Sequence, residues 1–340
     1  MLKAEFTPYT LQFKRPGGTS RGVLTSKQTW FVKIFDDENP EISGQGECAL
    51  FRGLGCDDRP EYEQMLESLA RHLPAPEELP AVLKEYPSIL FGVETALADL
   101  KNGGKGVIYP SDFAEGSDSI LINGLIWMGT KEEMKEQIRS KLKEGFTCLK
   151  LKIGALDFEA EIELLHSIRQ EFKAQTVELR VDANGAFSPG EAMEKLERLS
   201  QYDIHSIEQP IRAGQWEEMS RICRTSPIPV ALDEELIGIN DTETKRRLLE
   251  TIQPQYIILK PSLHGGFAGS DEWIRLAEEQ QINWWATSAL ESNIGLNAIA
   301  QWCYTYHNPL PQGLGTGQLF TNNVESKLRL LRDLLYIQPA

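Results

Sequence analysis

Leu149-Lys150-Leu151-Lys152 is the first of five short apolar runs that each end in charge. The others are Arg180-Val181-Asp182-Ala183-Asn184, Ile207-Glu208-Gln209-Pro210, Leu232-Asp233-Glu234-Glu235 and Leu259-Lys260-Pro261-Ser262. Asp182, Glu208, Asp233 and Lys260 recur at a near-constant interval, long enough for one strand and one helix. Similar runs occur at Ser119 to Trp127, Asn283 to Ala286 and, weakly, Gln312 to Gly317. Between them lie charged segments of helical periodicity, such as Glu132 to Lys143, Asp157 to Phe172 and Pro189 to Leu199. Eight strands alternating with helices predict an α/β fold, a (β/α)₈-type barrel. An open doubly wound sheet is the alternative, and the lack of a GxGxxG motif in the first βα unit weighs against it.

The first hundred residues have a different rhythm. Phe6 to Phe13 and Thr29 to Phe35 read as strands, bounded by turn signals at Pro16-Gly17-Gly18 and Asp36 to Pro40. Glu61 to His72 and Pro87 to Leu100 read as helices. Strands followed by helices predict an N-terminal α+β capping domain over residues 1–115. The polar, Gly-rich stretch Lys101 to Ser119 reads as a linker, and the barrel then occupies 116–317. The tail, 318–340, is expected to pack with the cap.

Strand period decides which charges share a face. Lys150 and Lys152 are two apart, so both point into the barrel, and Arg180 and Asp182 pair in the same way. In a barrel, functional side chains gather at the C-terminal strand ends. Three carboxylates converging there repel one another, and a hard divalent cation relieves that repulsion. Asp182, Glu208 and Asp233 are therefore the candidate ligands of Mg²⁺, with Mn²⁺ as a possible substitute. Lysines beside the metal are expected to have pKa values depressed toward that of a working base. Such a site suits abstraction of a proton α to a carboxylate.

Composition narrows the partners. A formal net charge of −15 argues against a nucleic-acid partner. The 5 cysteines form no CxxC pair, which fits reduced thiols rather than a zinc site or disulfide framework. No window is long and apolar enough to span a membrane, and the N-terminus lacks the apolar run of a signal peptide. A cytoplasmic protein acting on a small-molecule carboxylate is expected. The oligomeric state does not follow from the sequence.

The combination Lys150-x-Lys152, Asp182-Ala-Asn184, Glu208-Gln-Pro, Asp233-Glu and Lys260-Pro resembles the enolase superfamily, in its muconate-cycloisomerase-like subgroup. Gly44-Gln-Gly46-Glu47 resembles the small-domain segment of the same superfamily. The resemblance implies Lys152 as the principal acid/base and Lys150 as a modulator of its pKa. It implies Asp182, Glu208 and Asp233 as metal ligands. Lys260 would be the second base, or a cation stabilising the enediolate, on the other side of the substrate. Arg180, Asn184 and Glu234 would support the ligands from behind.

The seventh strand has no histidine, which disfavours a His–Asp dyad. The eighth has no Asp-x-Asp, the motif that holds the ammonium group of dipeptides in epimerising relatives. Ser288-Ala-Leu-Glu-Ser292-Asn-Ile-Gly-Leu, Gly313-Leu-Gly315-Thr316-Gly317 and Asn123-Gly-Leu-Ile-Trp127 resemble the o-succinylbenzoate synthases of that subgroup. This implies a carbon–oxygen lyase that dehydrates 2-succinyl-6-hydroxy-2,4-cyclohexadiene-1-carboxylate in menaquinone biosynthesis. Ser288, Ser292, Gly315 and Thr316 would present uncharged donors to the anionic substrate. Trp127 and Phe51 would face its ring. The loops Arg15 to Gly22 and Leu50 to Gly53 would close the site, with Arg21 meeting the succinyl carboxylate. A racemase or epimerase of N-acyl amino acids or dipeptides and a cycloisomerase are alternatives on the same scaffold. A catalytically silent carboxylate-binding barrel is the non-enzymatic alternative.

Overall fold

The computed structural model of the chain describes residues 1–19 and 22–339. Three long strands open it: β1 (Leu2–Thr19), β2 (Gly22–Asp36) and β3 (Asn39–Cys48) form an antiparallel sheet in that order. The sequence reading placed only two strands here; Asn39–Cys48 was hidden by its glycines and polar residues, which are poor strand formers. The helix Pro87–Lys101 lies directly on β3. A Cβ on Gly46 would stand 2.0 Å from the Gly92 carbonyl oxygen, and one on Gly44 would stand 1.9 Å from that of Ala96. The Gly-x-Gly pair therefore exists to let a helix backbone touch a strand. Trp30, Val32, Ile34, Tyr62, Leu66, Ile89 and Val93 fill the core between sheet and helices.

Two short strands follow, β4 (Ser119–Leu121) and β5 (Gly124–Ile126). The barrel then runs through β6 (Cys148–Lys152), β7 (Glu178–Asp182), β8 (Ile204–Glu208), β9 (Val230–Leu232), β10 (Tyr256–Leu259) and β11 (Asn283–Ala286). Strands β5 to β11 form one parallel sheet in sequence order, each neighbouring the next. Their outer faces carry Leu149, Leu151, Leu179, Val181, Ile207, Leu232, Ile257 and Leu259 into the large core beneath the helices.

The eighth run is not a regular strand. Only Gln312 and Gly313 pair, Gln312 with Ile122 and Gly313 with Thr287, and these two bridges join β11 to the first strand. A Cβ on Gly313 would lie 2.1 Å from Thr287 Oγ1, so only glycine permits the approach. The chain then turns into a short 3₁₀ helix, Gly315–Gln318.

The stretch read as a linker is packed rather than free. Ile108 and Phe113 are buried, and Gln301 Oε1 accepts from the backbone N–H groups of Ile108 and Tyr109. In the tail, Leu319 O accepts from Lys14 N, and Asn322 bonds Tyr9 and Gln12 of β1. Further on, β12 (Leu328–Leu331) and β13 (Leu334–Ile337) form a sheet with β4, at the barrel side. No helix among the described residues is long and apolar enough to cross a membrane. All five cysteines are free thiols.

Candidate active site

The parallel register sets Lys152, Asp182 and Glu208 side by side on β6, β7 and β8. Asp233 and Lys260 come immediately after β9 and β10. Five charged groups thus meet at one end of the barrel. Lys152 Nζ lies 2.8 Å from Asp182 Oδ2 and 2.8 Å from Asn184 Oδ1. Lys150 Nζ is 2.9 Å from Asp182 Oδ2 and also bonds Glu208, while Lys260 bonds Asp233. The Glu208 carboxyl lies within hydrogen-bonding reach of both Asp182 and Asp233. Asn184 Nδ2 donates to Glu234 Oε1 at 2.9 Å. Asn184 and Glu234 thus stand behind Lys152 and the carboxylates.

The electrostatics follow from burial. Burial opposes charge on Lys150, but Asp182, Glu208 and Asp233 outweigh it and hold its pKa above the ordinary lysine value. Lys260 is also raised, because Asp233, Glu208 and Glu234 overcome burial. With no cation beside them, these two lysines are themselves the counter-charge of three crowded carboxylates. Burial lifts Glu208 well above the usual carboxyl range, and the charge of Asp182 adds to it. For Asp182, burial is overcome by Lys150 and Lys152, which hold it low. Asp233 is likewise held low against burial by Lys260.

Each carboxylate is turned onto a lysine, and no three His, Cys, Asp or Glu side chains among the described residues already converge as a ligand set. Two oxygens nevertheless point to a missing partner. Glu208 Oε1 and Asp233 Oδ1 are fully buried with no hydrogen bond. Buried carboxylate oxygens without a partner are costly, and an all-oxygen donor set is what a hard divalent cation prefers. The residues fit such a cation.

A cavity opens over this cluster. Lys150, Lys152, Asn184 and Lys260 line it, with Trp127, Ser288, Gly315 and Thr316 on the remaining sides. Phe51 and Leu54 close it from the N-terminal part of the chain. Three expectations are corrected or fall outside this arrangement. Ser292 is fully buried away from the cavity; it caps the helix Asn293–Tyr304, and its hydroxyl donates to Glu47 Oε2 at 2.6 Å. Arg180 points into the barrel interior but away from the mouth, bonding Glu178 and the Pro311 carbonyl and stacking 4.3 Å over Trp285. Strand period gives the side of a residue, not its height. Arg21 lies outside the described residues.

Four residues carry more than the sequence reading gave them. Gln209 Oε1 accepts from the backbone N–H groups of Asp233 and Glu235, locking the end of β9 beside β8. His264 Nδ1 accepts from the backbone N–H of Lys260 at 3.1 Å. Glu291 receives the hydroxyls of Ser288 and Ser262. Asn123 reaches the cavity from the first strand. The Glu208-Gln-Pro motif was the signal for Gln209; Asn123 and Glu291 stand inside the motifs Asn123-Gly-Leu-Ile-Trp127 and Ser288-Ala-Leu-Glu-Ser292, and His264 depends on a loop folding back.

A barrel with acidic and lysine strand ends under an N-terminal sheet is the architecture of the enolase superfamily, and the chain belongs to it. Residues 133–329 match the family described as enolase C-terminal domain-like. The chain is 49% identical to o-succinylbenzoate synthase of Desulfotalea psychrophila over 96% of both sequences. The crystal structure of MenC from Desulfotalea psychrophila LSv54 superposes with a TM-score of 0.87 at 45% identity, over 99% of each chain. A dipeptide epimerase from Enterococcus faecalis, solved with Mg and a dipeptide, shares the fold at 19% identity and a TM-score of 0.85, over 100% of this chain and 98% of that one.

Proposed function

We propose that the chain is a Mg²⁺-dependent carbon–oxygen lyase that dehydrates 2-succinyl-6-hydroxy-2,4-cyclohexadiene-1-carboxylate to o-succinylbenzoate. The observation that carries the reading is the pair Lys152 and Lys260 lining one cavity from the second and sixth strands of an eight-membered ring, hence from opposite sides. The extensive identity to an o-succinylbenzoate synthase supports the choice of substrate. The five free thiols suit a reducing cytoplasm, where this step would serve menaquinone biosynthesis.

Asp182, Glu208 and Asp233 would hold the metal, with Mn²⁺ as a substitute. When bound, the ion supplies positive charge beside the substrate carboxylate as electron density moves onto it. Lys152 removes the α-proton through its side-chain nitrogen, whose position the Asn184 and Asp182 oxygens fix. Lys150 balances the charge of Asp182 and Glu208. Lys260, on the opposite face, counters the developing negative charge. Lys152 then returns its proton to the departing hydroxyl, giving water and an aromatic ring. Residues 1–115 act as a cap whose Phe51 and Leu54 keep water from the cavity, over a barrel of 116–317.

Purified protein with Mg²⁺ should convert the cyclohexadiene substrate with an absorbance change from aromatisation, and EDTA should stop it. Absence of turnover, combined with α-proton exchange on N-succinyl amino acids, would reverse the assignment in favour of a racemase. The same facing lysines support that second reading, since a racemase needs a base on each side of the α-carbon.

A further inference from the structure

Lys260 stands one residue past the end of β10, where the parallel ladder stops. Its backbone is nevertheless held on both sides. The N–H donates to His264 Nδ1 at 3.1 Å, and the carbonyl accepts from Leu263 N at 2.7 Å and from His264 N at 3.1 Å. His264 thus grips both peptide groups that flank the Lys260 Cα, and with them the direction in which the lysine side chain leaves the backbone. The preceding strand ends in the same way: Gln209 Oε1 accepts from Asp233 N, one residue past β9. At both rim positions a side-chain acceptor replaces the missing ladder partner.

The histidine bears a cost for this. It is 1% exposed, and because Nδ1 is the acceptor, the ring proton sits on Nε2, which is buried with no partner. An apolar side chain would fill the space without that orphan donor, so packing alone does not account for a histidine here. Burial, with the charges of Lys260 and Lys245 behind it and that of Asp233 against it, pushes the imidazole pKa down to about 3. Nδ1 therefore stays an acceptor at any working pH. The far end of the turn is fixed separately, since Gly266 N donates to Pro261 O at 2.9 Å and Phe267 N is held by Glu94. Lys260 is the part of the turn that depends on the ring.

We propose that His264 is the positioning residue of Lys260, holding the lysine backbone so that its ammonium group stands beside Asp233 at the cavity wall. His264 does not itself line the cavity, so it acts only through Lys260. This rests on the role given to Lys260 in the dehydratase reading and adds the residue that keeps it in place.

Two variants separate the acceptor from the ring. His264→Phe keeps the ring volume and loses the acceptor, whereas His264→Asn keeps an acceptor at the Nδ1 position and loses most of the ring. Initial rates of aromatisation with Mg²⁺ and melting temperatures are measured for both. His264→Phe should lower kcat about 10- to 100-fold with KM within about twofold, as a displaced catalytic group does. Its melting temperature should move little, since it removes one orphan donor, Nε2–H, and creates another, the Lys260 N–H. His264→Asn should keep kcat within about threefold of wild type. Added to Lys260→Ala, His264→Phe should cost less than about twofold more, because the group it positions is gone. The reverse order, with His264→Asn slow and His264→Phe active, would assign the ring to packing and overturn the proposal, as would a full additional loss in the double variant. If His264→Phe does not fold, a folded but slow His264→Asn overturns it. A wild type that leaves the cyclohexadiene substrate unchanged sinks the dehydratase reading instead. The same variants are then read by α-proton exchange on N-succinyl amino acids, which needs the same two lysines, and inactivity in both assays overturns the positioning role as well.

Discussion

Lysine and carboxylate, taken one residue at a time, are ordinary strand-end residues; their value here lies in what each one neutralises. Asp182 Oδ2 receives both Lys150 and Lys152, and Asn184 holds Lys152 from the other side. Lys152 is thus oriented by two fixed acceptors rather than by its flexible stem. Lys260 has Asp233 beneath it, and His264 holds the backbone from which it projects. In the proposed reaction Lys152 takes the proton and Lys260 counters the resulting charge. Lys152→Ala and Lys260→Ala should each lower kcat by about 10²- to 10⁴-fold, measured as initial rates of aromatisation. Activity within about tenfold of wild type in either variant would remove that lysine from the reaction.

At the scale of elements, the notable joint is the one between β11 and the first strand. Seven strands pair regularly, and two residues complete the ring. Gly313 makes this possible by coming within a side chain's breadth of Thr287, and its neighbours Gly315 and Thr316 line the cavity. Gly313→Ala should push the segment off β11, destabilising the protein by about 1–3 kcal/mol in denaturant titrations. It should also raise KM more than it lowers kcat, because the seam and not the lysine pair is displaced. A variant as stable as wild type would show that the closing segment tolerates a gap. The sequence marked this run as its weakest strand, and the physical cause is that glycine favours close approach over regular pairing. The third N-terminal strand escaped notice for a related reason: its glycines serve the helix that covers it.

Across the whole molecule, two carboxylates, the buried Glu47 and the half-buried Glu94, tie the N-terminal part to barrel helices. Glu47 accepts from Thr29, from the backbone N–H and hydroxyl of Ser292, and from Gly295 N, at the start of the helix Asn293–Tyr304. Glu94 accepts from Phe267 N at the start of the helix Gly266–Glu278. Both exploit the unpaired N–H groups and positive end of a helix. Burial pushes the Glu94 carboxyl up to about 7, against the opposing backbone hydrogen bonds. The folded protein then holds a proton that the unfolded chain has released, so stability present below the unfolded value near 4.5 is lost as pH rises toward about 7. Glu94→Gln should therefore flatten the fall in melting temperature between pH 5 and 8, by an amount worth about 2–3 kcal/mol. An unchanged slope would show that the helix end alone keeps Glu94 ionised.

The five strand-end motifs were legible in sequence because a parallel barrel repeats: each βα unit returns the chain to the same rim, and alternation along a strand aims its side chains inward. That was enough to define the barrel, the acidic cluster and the lysines beside it. Where a side chain sits along the barrel axis, and what already holds it, was decided only in three dimensions. Arg180 shares a face with Asp182 yet turns toward Trp285, Ser292 is taken by Glu47, and the proton of Ser288 is taken by Glu291. The direction of the lysine pKa values belongs to the same category, because it depends on how closely three carboxylates crowd two ammonium groups. Periodicity records direction, whereas hydrogen-bond partners and charge balance come from contacts between residues far apart in the chain.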